Sequence, residues 1–326
     1  MPTTSAGERI DLTPEGVRNW LAAEHNAEYS RLRRAAPHIG VAQLALAWSL
    51  IVSSCYAVVA IGEVWLWLLP VALVGIGSSQ RALNNVLHDA AHHNYGRWSR
   101  AMSTIFAALP LFESFDVYRA RHQKHHRFLG KPRNDPDYLE PPRQRSSSPA
   151  LRALEFYGYF VFNLEQWTVS LGGAWGALNG RRRAAVLLWW LIVGSTLLVV
   201  VGVHATLGSV AMWVASRATS YHVIRVFADV SDHTGLDQSR IASGTRDLPL
   251  SPISMVSHPW NDQHHLAHHL APGVVSYRLR RLHRLLVAIP DYSELQIDGY
   301  VWGDRPLIAT LGSNHSKSPH TQKNKR

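Results

Sequence analysis

The sequence has a single cysteine, Cys55, and it lies inside an apolar run. One thiol excludes a disulfide framework within the chain and excludes a four-cysteine zinc or iron–sulfur site. Any electron carrier built on cysteine must then be a separate protein. Charge is also missing in places: residues 40–61, GVAQLALAWSLIVSSCYAVVAI, contain none. No secretory signal is expected, because residues 1–36 are polar and of mixed charge. There is no internal repeat. No nucleic-acid-binding motif accompanies the formal net charge of +10, so no nucleic-acid partner is expected. The lysines and arginines instead flank apolar runs, as cytoplasmic-loop charge does.

What is present is apolar length and histidine. A chain of 326 residues makes one large domain or two small ones. A bilayer core of ~30 Å needs ~20 apolar residues in a helix, and 40–61 meets that length. Residues 64–79 follow after a short turn and continue to about His92 as the second half of a helical hairpin. Residues 183–203 give a third span. The stretch 206–224 gives a weaker fourth, with Arg217 free to snorkel to an interface. Trp48, Trp65, Trp67, Trp189, Trp190 and Trp213 lie in or beside these runs, as interface-anchoring indoles do. Thr13, Pro14 and Glu15 open a helix over 14–34, cytoplasmic or interfacial. Residues 151–173 are apolar and aromatic but carry Glu155 and Glu165, which suits a helix lying on a membrane.

The turns near 62 and 204 hold no lysine or arginine, whereas the segments before Gly40, from 84 to 183 and after 224 hold many. The positive-inside rule puts both termini and the long central segment in the cytoplasm. The expected fold class is all-α and integral-membrane: about four transmembrane helices in two hairpins, with a cytoplasmic helical cap. The expected organisation is an N-terminal segment 1–39, a membrane domain 40–311 and a disordered tail 312–326.

Nineteen histidines are far above ordinary usage, and eleven fall in four places. His88 and His92 are one helical turn apart. His122, His125 and His126 share a helix face, as do His265, His268 and His269. Asn261 stands one turn before His265 in this pattern. His233 is a thinner fourth case, with Asp229 one turn before it. Neutral imidazole binds iron, zinc, copper and nickel well. Nine or more imidazoles exceed what one ion needs and point to two metals side by side, with neighbours such as His125 and His126 serving different ions. Asp89, Asp229, Asp232 and Asp262 are suited to hold the second ring nitrogens. His93 and His264 sit one step off the ligand faces, in supporting or solvent-facing places. His222 and His258 are read as structural, and His25, His38, His204, His283, His315 and His320 as background.

His-x-x-x-His followed by two His-x-x-His-His triples on membrane hairpins resembles the three histidine boxes of the integral-membrane fatty acid desaturase and hydroxylase family. NDPD at 134–137 and HHLAP at 268–272 are also similar to it. The resemblance covers about Gly40 to Pro272. It implies two iron ions held by His88, His92, His122, His125, His126, His265, His268 and His269, with His233 as a further ligand. Where some relatives place an asparagine that holds a metal-bound water, this chain has Asp229. It implies O2 as co-substrate and a separate ferredoxin, rubredoxin or cytochrome-type donor with its reductase, because no haem-binding His-Pro-Gly-Gly segment is present. Removing two neighbouring hydrogens from the substrate gives an alkene; hydroxylation at one carbon is the alternative outcome. The expected substrate is a long apolar chain carried by coenzyme A, acyl carrier protein or membrane lipid. An aromatic or polyketide-like substrate is a further reading. Arg119, Arg121, Lys124 and Arg127 are suited to receive an acidic carrier or ferredoxin, and equally read as membrane-surface charge. The expected location is the bacterial plasma membrane with the site on the cytoplasmic side. Two rivals fare worse. A zinc hydrolase needs a glutamate in His-Glu-x-x-His, and the first box reads His-Asp-Ala-Ala-His. A metal transporter needs polar groups inside its spans.

Overall fold

Thr13 starts the first helix as its pattern predicts. Its hydroxyl accepts the Gly16 amide at 3.1 Å, and Pro14 takes the first position of α1, Pro14–Glu24. The expected single helix to residue 34 is instead two, because the backbone leaves helical geometry at His25 before α2, Asn26–Leu32. Val17 and Leu21 of α1 are fully buried in one apolar cluster with Leu266, Leu270, Leu282 and Leu286. The computed structural model describes residues 10–60, 65–143 and 146–311. The turn near residue 62 and the tail from Gly312 lie outside those residues.

Two long helices, α3 (Pro37–Ala60) and α4 (Trp65–Ala91), pack against each other along their length. A short α5 (Ser99–Ser103) runs into a π turn, and α6 spans Phe115–Phe128. The expected surface helix over 151–173 is divided into α7 (Pro149–Val161) and α8 (Leu164–Gly172). Asn163 makes the break, its side chain accepting the Glu165 and Gln166 amides.

The helix α9, Gly180–Ala218, is really two. Gly202 takes φ +78° and ψ 174°, a conformation that glycine tolerates. In a straight helix Trp190 and Trp213 would be about 35 Å apart at the helical rise. Their rings are 5.6 Å apart, so the chain reverses at Gly202, two residues from the expected turn. A second break at Thr219 (φ −125°, ψ −93°) separates α9 from α10, Ser220–His233. The expected run 206–224 is therefore interrupted. Arg217 is also corrected. It is 2 % exposed and turned inward, with Nε donating to the Leu171 carbonyl.

The tryptophans divide as well. Trp67 is 85 % exposed. Trp48 of α3 and Trp189, Trp190 and Trp213 of α9 pack ring against ring. The remaining helices are α11 (Pro252–Ser257), α12 (His265–Leu270), α13 (Leu279–Leu286), α14 (Pro290–Ser293) and α15 (Leu307–Thr310). The described residues form an all-helical protein with no strand beyond one isolated bridge. Two stretches are long and apolar enough to cross a membrane: Pro37–Val59 and a window within Gly180–His233.

Candidate metal centre

Four helices deliver their histidines to one place. α4 brings His88 in its last turn and His92 just past its end, α6 brings His122, His125 and His126, α10 ends on His233, and α12 brings His265, His268 and His269. The nine rings sort into two groups, and within each group the ligand nitrogens lie within 4.8 Å of one another. His88, His92, His122, His126 and His268 form the five-ring group. His125, His233, His265 and His269 form the four-ring group. Consecutive residues part company, His125 from His126 and His268 from His269, because successive side chains on a helix point in different directions. The groups are neighbours: the His126 ring stacks on His269 with centroids 4.2 Å apart.

The donor set fits metal ions. In the five-ring group Nε2 atoms approach at 2.8 Å (His92 to His122), 3.0 Å (His126 to His122) and 3.1 Å (His268 to His126). In the four-ring group the distances are 3.0 Å (His265 to His233) and 3.2 Å (His269 to His265). A metal–nitrogen bond of ~2.1 Å puts right-angled ligands ~3.0 Å apart. His88, 6 % exposed, has neither ring nitrogen hydrogen-bonded, which a metal bond would satisfy. Burial, reinforced by the neighbouring rings, holds His122, His126, His265, His268 and His269 well below the usual imidazole range. Burial likewise pushes His233 down to about 4. Neutral imidazole is the form that binds metal. His125 goes the other way: burial opposes charge, but its hydrogen bond to Asp135 and the Asp137 and Asp135 carboxylates raise it.

The match to known proteins runs across the same residues. The profile of the family described as fatty acid desaturase matches residues 63–300. The chain belongs to that family. It is also similar to dihydrorhizobitoxine desaturase from Bradyrhizobium elkanii, 25 % identical over 263 residues, covering 73 % of this chain and 72 % of that protein.

Around the rings of this desaturase-family chain, the supporting residues are not all those expected. The Asp89 carboxylate meets no histidine ring among the described residues. It accepts from Asn94, Tyr95 and Ser276, and so ties the end of α4 to the segment after α12. Asp229 is held by Arg81 at 3.2 Å and Arg225 at 2.8 Å. Asn261 is not on the α12 face, because α12 begins at His265. It has a left-handed backbone, and its amide donates to the Tyr277 carbonyl. His93 also has positive φ and is exposed. His264 is buried against His283, ring centroids 4.3 Å apart.

The groups that do back the rings are Asp135, 2.8 Å from His125 Nδ1, and the Gly244 carbonyl, 3.0 Å from His233 Nδ1. Asp232 stands 3.9 Å from His265 Nδ1 and Asp262 stands 4.0 Å from His88 Nδ1. Asp135 went unread as a ring partner, although the NDPD stretch was the signal. Asp247 was missed altogether. Its carboxylate accepts the Leu266 and Ala267 amides at the start of α12, and the Tyr292 hydroxyl and His283 on its other side. It thereby sets the helix that carries three of the nine rings.

A cavity of about 510 Å³ borders both groups, touching His88, His122, His125, His233 and His265. Eleven lining residues carry formal charge, against three leucines or valines. Among them, burial pushes the Glu113 carboxyl up, against the pull of Arg121 and Arg217.

Proposed function

We propose that the protein is an O2-dependent di-iron desaturase of the membrane. The observation that carries this reading is the sorting of nine imidazoles, six buried and three half-buried, into adjacent groups of five and four. Either group alone has enough nitrogens for one ion. His88, His92, His122, His126 and His268 would hold one iron, and His125, His233, His265 and His269 the other. Two bound irons, with O2 and two electrons from outside, supply an oxidant strong enough for an unactivated C–H bond.

The chain's own work is to hold and orient. Asp135 and the Gly244 carbonyl each engage an Nδ1, which fixes the tautomer and presents Nε2 to the centre. Asp247 anchors α12, so His265, His268 and His269 keep their places. The cavity sets which carbon pair faces the rings, and position decides whether the outcome is a double bond or an alcohol. The desaturase name of the 25 % identical relative favours the double bond. With one cysteine in the chain, the electrons come from a separate ferredoxin, rubredoxin or cytochrome-type protein with its reductase. In this reading α3, α4 and the two arms of α9 cross the bacterial plasma membrane as two hairpins, and the rings lie at the cytoplasmic face. The exposed apolar residues Val52, Tyr56, Val71 and Val199 suit a lipid surrounding.

The test is iron per chain in detergent-purified protein, wild type beside His268→Ala, followed by turnover with a ferredoxin system. Close to two irons, reduced in the variant, with product short of two hydrogens, is expected. Zinc in place of iron after growth with ample iron would sink the reading. A product that gained an oxygen would replace desaturase with hydroxylase.

A further inference from the structure

The cavity beside the rings is walled by charge, and most of that charge is already spoken for. Arg225 gives its donors to Ser170, Asp229 and Gln166. Arg81 lies between Asp229 and Asp262 and also donates to the Ser257 carbonyl. Arg121 pairs with Asp137 at 3.4 Å, and Asp232 with His258 at 3.0 Å. Besides the exposed Glu140 and Glu165, two buried lining groups are left over. Arg217, 2 % exposed, makes one hydrogen bond through Nε, and its Nη1 has no partner. Its guanidinium is held in place between the Phe112 and Tyr221 rings, at 5.7 and 5.0 Å from their centroids. Glu113, 7 % exposed, has an unpartnered Oε2. No ion pair joins the two among the described residues.

A buried guanidinium and a buried carboxyl lining one cavity, each short of a partner, are costly unless something supplies the missing bonds. A hydrocarbon chain filling the space would offer neither of them a hydrogen bond. A small molecule carrying both charges completes both. We propose that the cavity takes a compact zwitterionic substrate of the α-amino acid class, its carboxylate held by Arg217 and its ammonium by Glu113. The proposal rests on the desaturase reading for the chemistry at the rings. The same cavity touches both ring groups, so a substrate anchored by its head presents its side chain to them. The long acyl chain expected from the family resemblance is then not the molecule bound here.

Binding is measured by calorimetry on the full-length, iron-replete, detergent-purified protein. The probes are L-norleucine, hexanoate, n-hexylamine and palmitoyl-coenzyme A. L-norleucine is expected to bind at least tenfold tighter than hexanoate or hexylamine, and palmitoyl-coenzyme A is expected not to displace it. Arg217→Gln and Glu113→Gln are each expected to weaken L-norleucine at least tenfold. The wild-type ranking decides the matter even if a variant fails to fold. Hexanoate binding as tightly as L-norleucine, or palmitoyl-coenzyme A binding while L-norleucine does not, overturns the proposal. Iron counted on the same preparation separates the two readings. Failed amino acid binding with two irons present sinks only the substrate class, whereas absent iron sinks the desaturase.

Discussion

The two groups of rings differ in what stands behind them. In the four-ring group, His125 leans on Asp135 at 2.8 Å and His233 on the Gly244 carbonyl at 3.0 Å, with Asp232 3.9 Å from His265. In the five-ring group the nearest carboxylate is Asp262, 4.0 Å from His88, and neither His88 nitrogen is hydrogen-bonded. His122 is supported by stacking on Tyr118, centroids 5.8 Å apart. Two of the four rings in one group, His125 and His233, are oriented by hydrogen bonds behind them, while His265 Nδ1 and His269 Nδ1 have no such partner; the other group rests on packing. A hydrogen-bonded imidazole is a better and better-aimed ligand. In the proposed di-iron reading the four-ring group would therefore be the tighter metal site, and the five-ring group, with one more ligand, the more adaptable one.

Replacing a ring breaks the comparison most severely. His268→Ala in the five-ring group and His269→Ala in the four-ring group should each abolish turnover, and iron analysis should find each variant short of metal. If either kept full iron and activity, the assignment of that ring would fall. Asp135→Asn is the sharper test. It should weaken iron in the four-ring group by about 10- to 100-fold. In wild type, chelator should strip iron in two phases, the five-ring site first; in the variant the phases should draw together. A single phase in both proteins would show that the backing makes no difference.

Asp247→Asn reaches both groups through α12. Losing charge on a buried carboxylate that accepts two amides should cost about 1–3 kcal/mol, seen as a lower melting temperature together with reduced iron occupancy. His93→Ala should do least. The side chain is exposed, so iron content and turnover should match wild type.

The rings were legible because their spacing is local. Positions i, i+3 and i+4 share a helix face wherever the helix later packs, so His122, His125, His126, His265, His268 and His269 could be read without the fold. The hairpin turn at Gly202 was legible too, from a charge-free break between apolar runs. The supports were not. Asp247 meets Tyr292 across 45 positions, and no short pattern announces such a contact. Asp229 sits one turn before His233 in sequence, yet Arg81, from another helix, lies 3.2 Å from it. Arg217 reads as a snorkelling residue because sequence shows the apolar run beside it and not the cavity it turns toward.

α6 and α12 each serve both centres, through His122, His125 and His126 and through His265, His268 and His269. Each helix is a shared axle. A twist of α12 by a few degrees would carry His268 and His269 together, in different directions, about 100° apart around the helix. Under the di-iron proposal two metals could not be retuned independently by moving that helix, and a one-residue deletion within it would reassign its rings between the two groups. Whatever adjusts one centre through α12 is felt at the other.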